Sequence, residues 1–205
     1  VKQRKSQLER KSKETEIKLT LTIDGQGKSK IKTNIGILDH MLELFAFHGF
    51  FDLDINVKKA DLNVDIHHTN EDVAIVLGKA FKEALGEKEG IKRFGLAASP
   101  MESTVATCVI DISGRGYFKL NLGDHAKAAA NTIQDGYAFK YLDHFLESFA
   151  LNLGATISLK IENLSDDLHT NLETVFKSLG LALDQATRFE PKRKGLVPST
   201  KGIID

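Results

Sequence analysis

Two adjacent histidines followed by a carboxylate, in the run Asp65-Ile66-His67-His68-Thr69-Asn70-Glu71-Asp72, have the residue types and spacing of metal ligands. The run heads an apolar-periodic stretch, so it reads as the first turn of a helix. There Glu71 shares a face with His68 at i, i+3 and with His67 at i, i+4. Neighbouring helical residues point about 100° apart, so the two imidazoles hardly converge on one ion. The pair therefore implies two metals, or one metal and one residue that supports a ligand. Imidazole mixed with carboxylate suits Mn, Fe or Zn.

The same chemistry recurs about a hundred residues later. Leu38-Asp-His-Met-Leu-Glu-Leu-Phe-Ala46 aligns with Leu142-Asp-His-Phe-Leu-Glu-Ser-Phe-Ala150 at seven of nine positions. His67 to Gly78 aligns with His169 to Gly180, and the turn Ile23-Asp-Gly-Gln-Gly27 with Ile112-Ser-Gly-Arg-Gly116. Candidate ligands thus fall at equivalent places: His40 with His144, His67 with His169, Glu71 with Glu173. A lone helical histidine is usually a solvated residue. The same residues recurring at three positions in two halves favour a metal site instead.

The elements that position these residues follow from periodicity. Ile17-x-Leu19-x-Leu21-x-Ile23 alternates as a strand with one buried face. Asp24 to Gly27 is turn chemistry, and Lys28–Thr33 reads as the returning strand of a hairpin. Apolar residues at 37, 38, 41, 42 and 45 make an amphipathic helix, with a strand region at 51–57 after it. The histidine-rich helix then runs to Leu85. Residues 90–95 read as a loop carrying Lys92 and Arg93. Strands are expected at 103–112 and 117–122, a helix over about 137–153, a strand at 156–162 and a helix from about 169 to 188. Residues 1–13 read as polar and frayed at the start, 123–136 as polar and alanine-rich, and 191–202 as irregular. The whole implies one α+β domain over 1–205, with half-repeats at about 10–90 and 100–190. Each half is hairpin, helix, strand, helix, and forms a sheet covered by helices on one side.

Composition narrows the partners. Twenty-eight basic residues balance twenty-eight acidic ones, so charge gives no reason to expect nucleic acid or a membrane surface. No apolar run approaches the ~20 residues of a membrane span, and the polar N-terminus lacks a signal-peptide core. The one cysteine, Cys108, lies in a strand-like apolar run and reads as a buried residue of a reducing compartment. A soluble cytoplasmic protein is expected.

Several stretches together resemble imidazoleglycerol-phosphate dehydratase, a family of histidine biosynthesis. They are Lys13-Glu-Thr15, Gly36-Ile-Leu-Asp-His-Met-Leu42, His48-Gly49, Asp65 to Asp72, Arg93-Phe-Gly95, Asp111-Ile-Ser-Gly-Arg115, His144 to Ala150, Phe176-Lys177 and Pro198-Ser-Thr-Lys-Gly202. The resemblance spans nearly the whole chain and implies a ribosomal protein S5 domain 2-like fold. It implies removal of water from imidazole glycerol phosphate to give imidazole acetol phosphate, a carbon–oxygen lyase reaction with the imidazole ring as electron sink. Two Mn2+ ions per active site are implied, one held by His40, His68 and Glu71, the other by His67, His144, His169 and Glu173. Ligands are expected from neighbouring subunits of a 24-subunit homo-oligomer. Glu14 is the implied base or proton shuttle. Arg93, Arg115, Lys177, Ser199, Lys201 and His48 are the expected contacts of the substrate phosphate.

The chain departs from the family pattern in its second half. Thr170 stands where a second histidine is expected, and Asp167 is a nearby carboxylate able to compensate. Met101-Glu102-Ser103 replaces Met-Asp-Glu, and Ser103 is the counterpart of Glu14. Two alternatives therefore stay open: a paralogue that binds metal and phosphate without dehydrating, and a metal-dependent enzyme with a changed substrate.

Overall fold

The first half of the chain runs β1 (Lys5–Lys11), β2 (Glu16–Thr22), β3 (Ser29–Lys32), α1 (Gly36–His48), β4 (Asp52–Lys59) and α2 (His67–Leu85). The second half runs β5 (Phe94–Met101), β6 (Thr104–Asp111), β7 (Tyr117–Asn121), the two-residue strands β8 (Ile133–Gln134) and β9 (Tyr137–Ala138), α3 (Phe139–Leu153), β10 (Thr156–Glu162) and α4 (Leu168–Thr187). The structure, a computed structural model, describes residues 3–123, 132–193 and 195–204. Most of the polar, alanine-rich stretch 123–136 lies outside them.

Each half builds a four-stranded sheet with the same order, β1-β2-β4-β3 and β5-β6-β10-β7. The helices lie between the two sheets. Alternation decides the central strands: Leu53, Ile55 and Val57 of β4, and Ile157, Leu159 and Ile161 of β10, are buried toward the helices. This also corrects the expected hairpins. β2 does not pair with β3, nor β6 with β7. The more apolar β4 and β10 enter between them and pair in parallel with β3 and β7. β3 has a single inward apolar residue, Ile31, and is suited to an edge.

Two edge strands were not expected at all. β1 carries one apolar residue, Leu8, and pairs with β2 along its full length. Its register is held by backbone bonds and by Arg10, which donates to Asp72 at 2.6 and 3.1 Å. β5 inverts the usual pattern, turning small residues inward and Phe94 and Leu96 outward. The reason is α4, packed so closely that a Cβ on Gly95 would collide with the backbone of Ala182.

The halves meet through their helices, and they meet crosswise. α1 packs on α4, and α2 on α3. Glycines at equivalent positions permit the close crossings. A Cβ on Gly78 of α2 would lie 2.7 Å from the Phe149 carbonyl of α3, and one on Gly180 of α4 would lie 2.6 Å from the Phe45 carbonyl of α1. Phe45 and Phe149 are themselves equivalent, and their rings contact edge-on at 6.3 Å, which marks the pseudo-twofold axis. Phe51 and Phe81 complete this cluster of fully buried rings. Burial of each contributes up to about 3 kcal/mol. Among the described residues no helix is long and apolar enough to cross a membrane.

Candidate functional site

The crosswise helix packing decides which ligands meet. On the α1/α4 crossing, His40 Nε2 and His169 Nε2 lie 3.2 and 3.0 Å from Glu173 Oε1, and the two rings stack at 5.2 Å. All three donor atoms fall within 4.8 Å of one another. On the α2/α3 crossing the equivalent residues gather. His144 Nδ1 is 3.1 Å from His67 Nδ1, and His67 Nε2 is 3.7 Å from Glu71. Each triad takes one histidine from the first helix of one half and a His-x-x-x-Glu face from the second helix of the other. The two differ in readiness. His40, His169 and Glu173 converge, whereas His67 presents opposite ring edges to His144 and Glu71.

A fourth pair of equivalent positions, His68 and Thr170, is where the halves part. His68 points away from His67, with Nδ1 2.8 Å from Asp61 Oδ2 and 3.9 Å from Glu14 Oε2. This is the second convergent group of potential donors. The Asp61 hydrogen bond, then the Glu14 charge, raise the His68 pKa above its ordinary value. Glu14 is placed by the β1–β2 turn. Ser12 Oγ accepts from the Glu14 and Thr15 amides, and Thr15 donates its hydroxyl to Asp72 of α2. Opposite His68 in the fold, Thr170 is buried and donates to Asp167 Oδ2 at 2.8 Å. Asp167 also accepts from the His169 amide and is the cap of α4. It is a structural residue here, and the compensating role expected of it is not what its contacts serve.

The expected division of ligands draws on neighbouring subunits, and within one chain the groupings are as follows. His67 does meet His144, and His169 does meet Glu173. His40, however, sits with His169 and Glu173 rather than with His68 and Glu71. The spacing on each helix fixes which residues share a face; it does not say which helix lies opposite.

Charge is arranged unevenly. Burial alone would raise the Glu173 pKa, but the hydrogen bond from Lys177, with His40 and His169, outweighs it and holds the carboxyl at about 2. Lys177 Nζ occupies Glu173 Oε2 at 2.5 Å. His48, at the end of α1, is pushed down by burial and then by the charge of Lys177. Lys177 and His48 therefore stand beside the α1/α4 triad.

The remaining expected substrate contacts gather elsewhere, at the end of the second sheet. Arg93, Ser113, Arg115, Ser199, Thr200, Lys201, Ile203 and Ile204 line a cleft of about 150 Å³. Sequence reasoning missed Ser113, Thr200 and Asp111. Arg93 grips Asp111 with Nε at 2.6 Å and Nη2 at 3.0 Å, and its Nη1 donates to the Pro198 carbonyl at 2.9 Å. Its main task is to hold the C-terminal segment that brings Ser199 and Lys201. Arg115 is exposed, and its guanidinium makes no hydrogen bond or ion pair within the described residues. Two free cations, three hydroxyls and few acids make a pocket of the chemistry a phosphate needs.

The histidine and carboxylate sets are chemically suited to a divalent transition metal. Two imidazoles and one carboxylate leave coordination positions for water or substrate. Comparison with known proteins points to one family. The family model for imidazoleglycerol-phosphate dehydratase matches residues 33–183. The imidazoleglycerol-phosphate dehydratase of Geobacter metallireducens is 44% identical over 202 residues, covering 98% of this chain and 99% of that protein. The solved structure of the enzyme (IGPD) from Pyrococcus furiosus, in complex with (S)-C348, superposes with a TM-score of 0.78 at 36% identity, covering 96% of this chain and 99% of that one. The Staphylococcus aureus structure gives the same TM-score at 28% identity, over 91% of this chain and 99% of its own. With similarity running the length of sequence and fold alike, the chain belongs to the imidazoleglycerol-phosphate dehydratase family.

Proposed function

We propose that this chain catalyses the dehydration of imidazole glycerol phosphate to imidazole acetol phosphate in histidine biosynthesis. Full-length similarity to named dehydratases carries the reading. The reaction removes the hydroxyl on the carbon next to the imidazole ring, as water, and a proton from the neighbouring carbon. The resulting enol becomes the ketone by proton transfer.

His40, His67, His68, Glu71, His144, His169 and Glu173 are the residues that would hold Mn2+, two ions per active site. When bound, the metal supplies Lewis acidity that stabilises negative charge on the substrate's ring. Glu14 moves the proton: its carboxylate is exposed, sits 3.9 Å from His68, and hangs from a turn fastened to α2. Arg115, Lys201 and Ser199 bind the phosphate, with Arg93 holding their segment in place. Lys177 and His48 add positive charge and a hydrogen-bond donor beside the α1/α4 triad. The triads and the phosphate cleft occupy different parts of one chain, which supports sites assembled between subunits of a 24-subunit homo-oligomer in the cytoplasm.

The test is turnover of imidazole glycerol phosphate by the purified protein with added Mn2+, alongside metal content per chain. Formation of imidazole acetol phosphate with close to two Mn2+ per chain is expected. Absence of product at saturating Mn2+ overturns the assignment.

A further inference from the structure

His68 is half exposed, and an exposed imidazole is free both to rotate and to choose its tautomer. Here neither freedom remains. Nδ1 is engaged by Asp61 at 2.8 Å, which leaves Nε2 as the ring's open lone pair. Asp61 is itself held firmly. Its amide donates to Thr69 Oγ1 at 2.9 Å, and its carbonyl accepts from that same hydroxyl at 3.1 Å. Thr69 is fully buried in the first turn of α2, next to His68. The backbone of Asp61 is thus fixed to the helix that carries the ring its carboxylate contacts.

The duplication supplies an independent comparison. Asp65 and Asp167 occupy equivalent positions, each accepting from the amide of the histidine two residues later, so the register of the two halves is secure. In that register Asp61 corresponds to Asn163, six residues before His169. Asn163 donates its amide to the Ser103 carbonyl, and Thr170 stands in place of His68. The carboxylate and the imidazole are present together in one half and missing together in the other. A residue needed only for the loop would have no reason to follow the histidine.

Building on the metal-binding role given to His68 above, we propose that Asp61 is a positioning residue for that histidine: its carboxylate accepts a hydrogen bond from Nδ1–H and leaves Nε2 to face the metal. Carboxylate partners of ligating histidines fix the tautomer and raise ligand basicity, and their loss typically weakens metal binding by roughly 10- to 100-fold.

The experiment compares wild type, Asp61→Ala, Asp61→Asn, His68→Ala and the double variant Asp61→Ala/His68→Ala. Mn2+ affinity is read by electron paramagnetic resonance of free ion. The tautomer of His68 is read by long-range 1H–15N NMR of the metal-free protein, at a pH where the ring is neutral. Expected are an Nδ1–H tautomer in wild type that is lost in Asp61→Ala, and Mn2+ binding weakened about 10- to 100-fold. Asp61→Asn, whose amide oxygen still accepts from Nδ1, should keep the tautomer and recover part of the affinity. In the His68→Ala background, removing Asp61 should cost nothing further. An equal loss in that background, or an unchanged tautomer in Asp61→Ala, overturns the inference. Wild-type protein that binds no Mn2+ instead overturns the functional reading, and the tautomer still reports on Asp61.

Discussion

The substitution Gly180→Ala tests whether the crosswise helix packing sets the spacing of the α1/α4 triad. The new Cβ would lie 2.6 Å from the Phe45 carbonyl and 3.1 Å from the Gly49 amide. Neither neighbour is a flexible side chain. The Gly49 amide already donates to the Phe45 carbonyl at 3.0 Å, so the end of α1 is tied. To reach ordinary contact the helices must separate by roughly 0.8 Å. Overpacking of this kind costs about 1–3 kcal/mol. Alanine returns roughly 1 kcal/mol through its better helix propensity. The net is a loss of up to about 2 kcal/mol, or up to roughly 8 °C in Tm for a chain of this length. Because His40 is on α1 while His169 and Glu173 are on α4, the same separation should also weaken Mn2+ binding. Calorimetry of the metal-free protein and an Mn2+ titration check the two effects. Gly78→Ala, at the equivalent crossing, should lose stability in the same direction. A Gly180→Ala protein more stable than wild type, with Mn2+ binding unchanged, would show that the crossing is looser than its geometry implies.

Three further outcomes are expected. The Glu173 carboxyl is held at about 2, so its ionised form contributes stability above the ordinary carboxylate pKa that is lost as pH falls toward 2. The contribution is on the order of 3 kcal/mol. Lys177→Met should therefore move acid unfolding of the metal-free protein to higher pH, as followed by circular dichroism. Arg115→Ala removes a free guanidinium from the phosphate cleft and should raise KM about 10- to 100-fold with a smaller change in kcat, in steady-state assays. Asp167→Ala removes a helix cap and should cost about 1 kcal/mol in denaturant unfolding while leaving Mn2+ stoichiometry unchanged. A loss of one Mn2+ per chain there would instead make Asp167 a ligand.

How far the sequence could be read depended on how much information each residue pattern holds. The central strands alternate because one face is buried, and the helices show their apolar stripes, so these elements and their duplication were plain. β1 and β5 were not, because an edge strand is held largely by backbone bonds, and at β5 close packing demands small inward residues. The pairing of β4 with β3 depends on a crossover that no local pattern records. The site was legible to the same degree. Helical spacing put His67 with Glu71 and His169 with Glu173, but His40 needed the opposing helix to be known. Asp61 showed no motif at all; comparison with Asn163 six residues before His169 was the one signal available.

The two triads also show what divergence did with a duplicated site. Their imidazole–imidazole–carboxylate cores match residue for residue, yet the surroundings carry opposite charge. Lys177 pairs with Glu173, and the residue equivalent to it in the first half is Ile75. The Ser148 hydroxyl lies 3.5 Å from Glu71, and its counterpart in the other half is Leu44. Beside the α2/α3 triad, Asp61 and Glu14 add two carboxylates where the second half has Asn163 and Ser103. A cation is favoured where carboxylates gather, and an anionic group where a lysine stands. His48 nearby is pushed down first by burial and then by the charge of Lys177. One repeat thus carries additional carboxylates, the other a lysine paired with its carboxylate. Thr170, Asn163 and Ser103 stand where the first half has His68, Asp61 and Glu14, so an imidazole and two carboxylates of one half are replaced by neutral groups bonded within their own half.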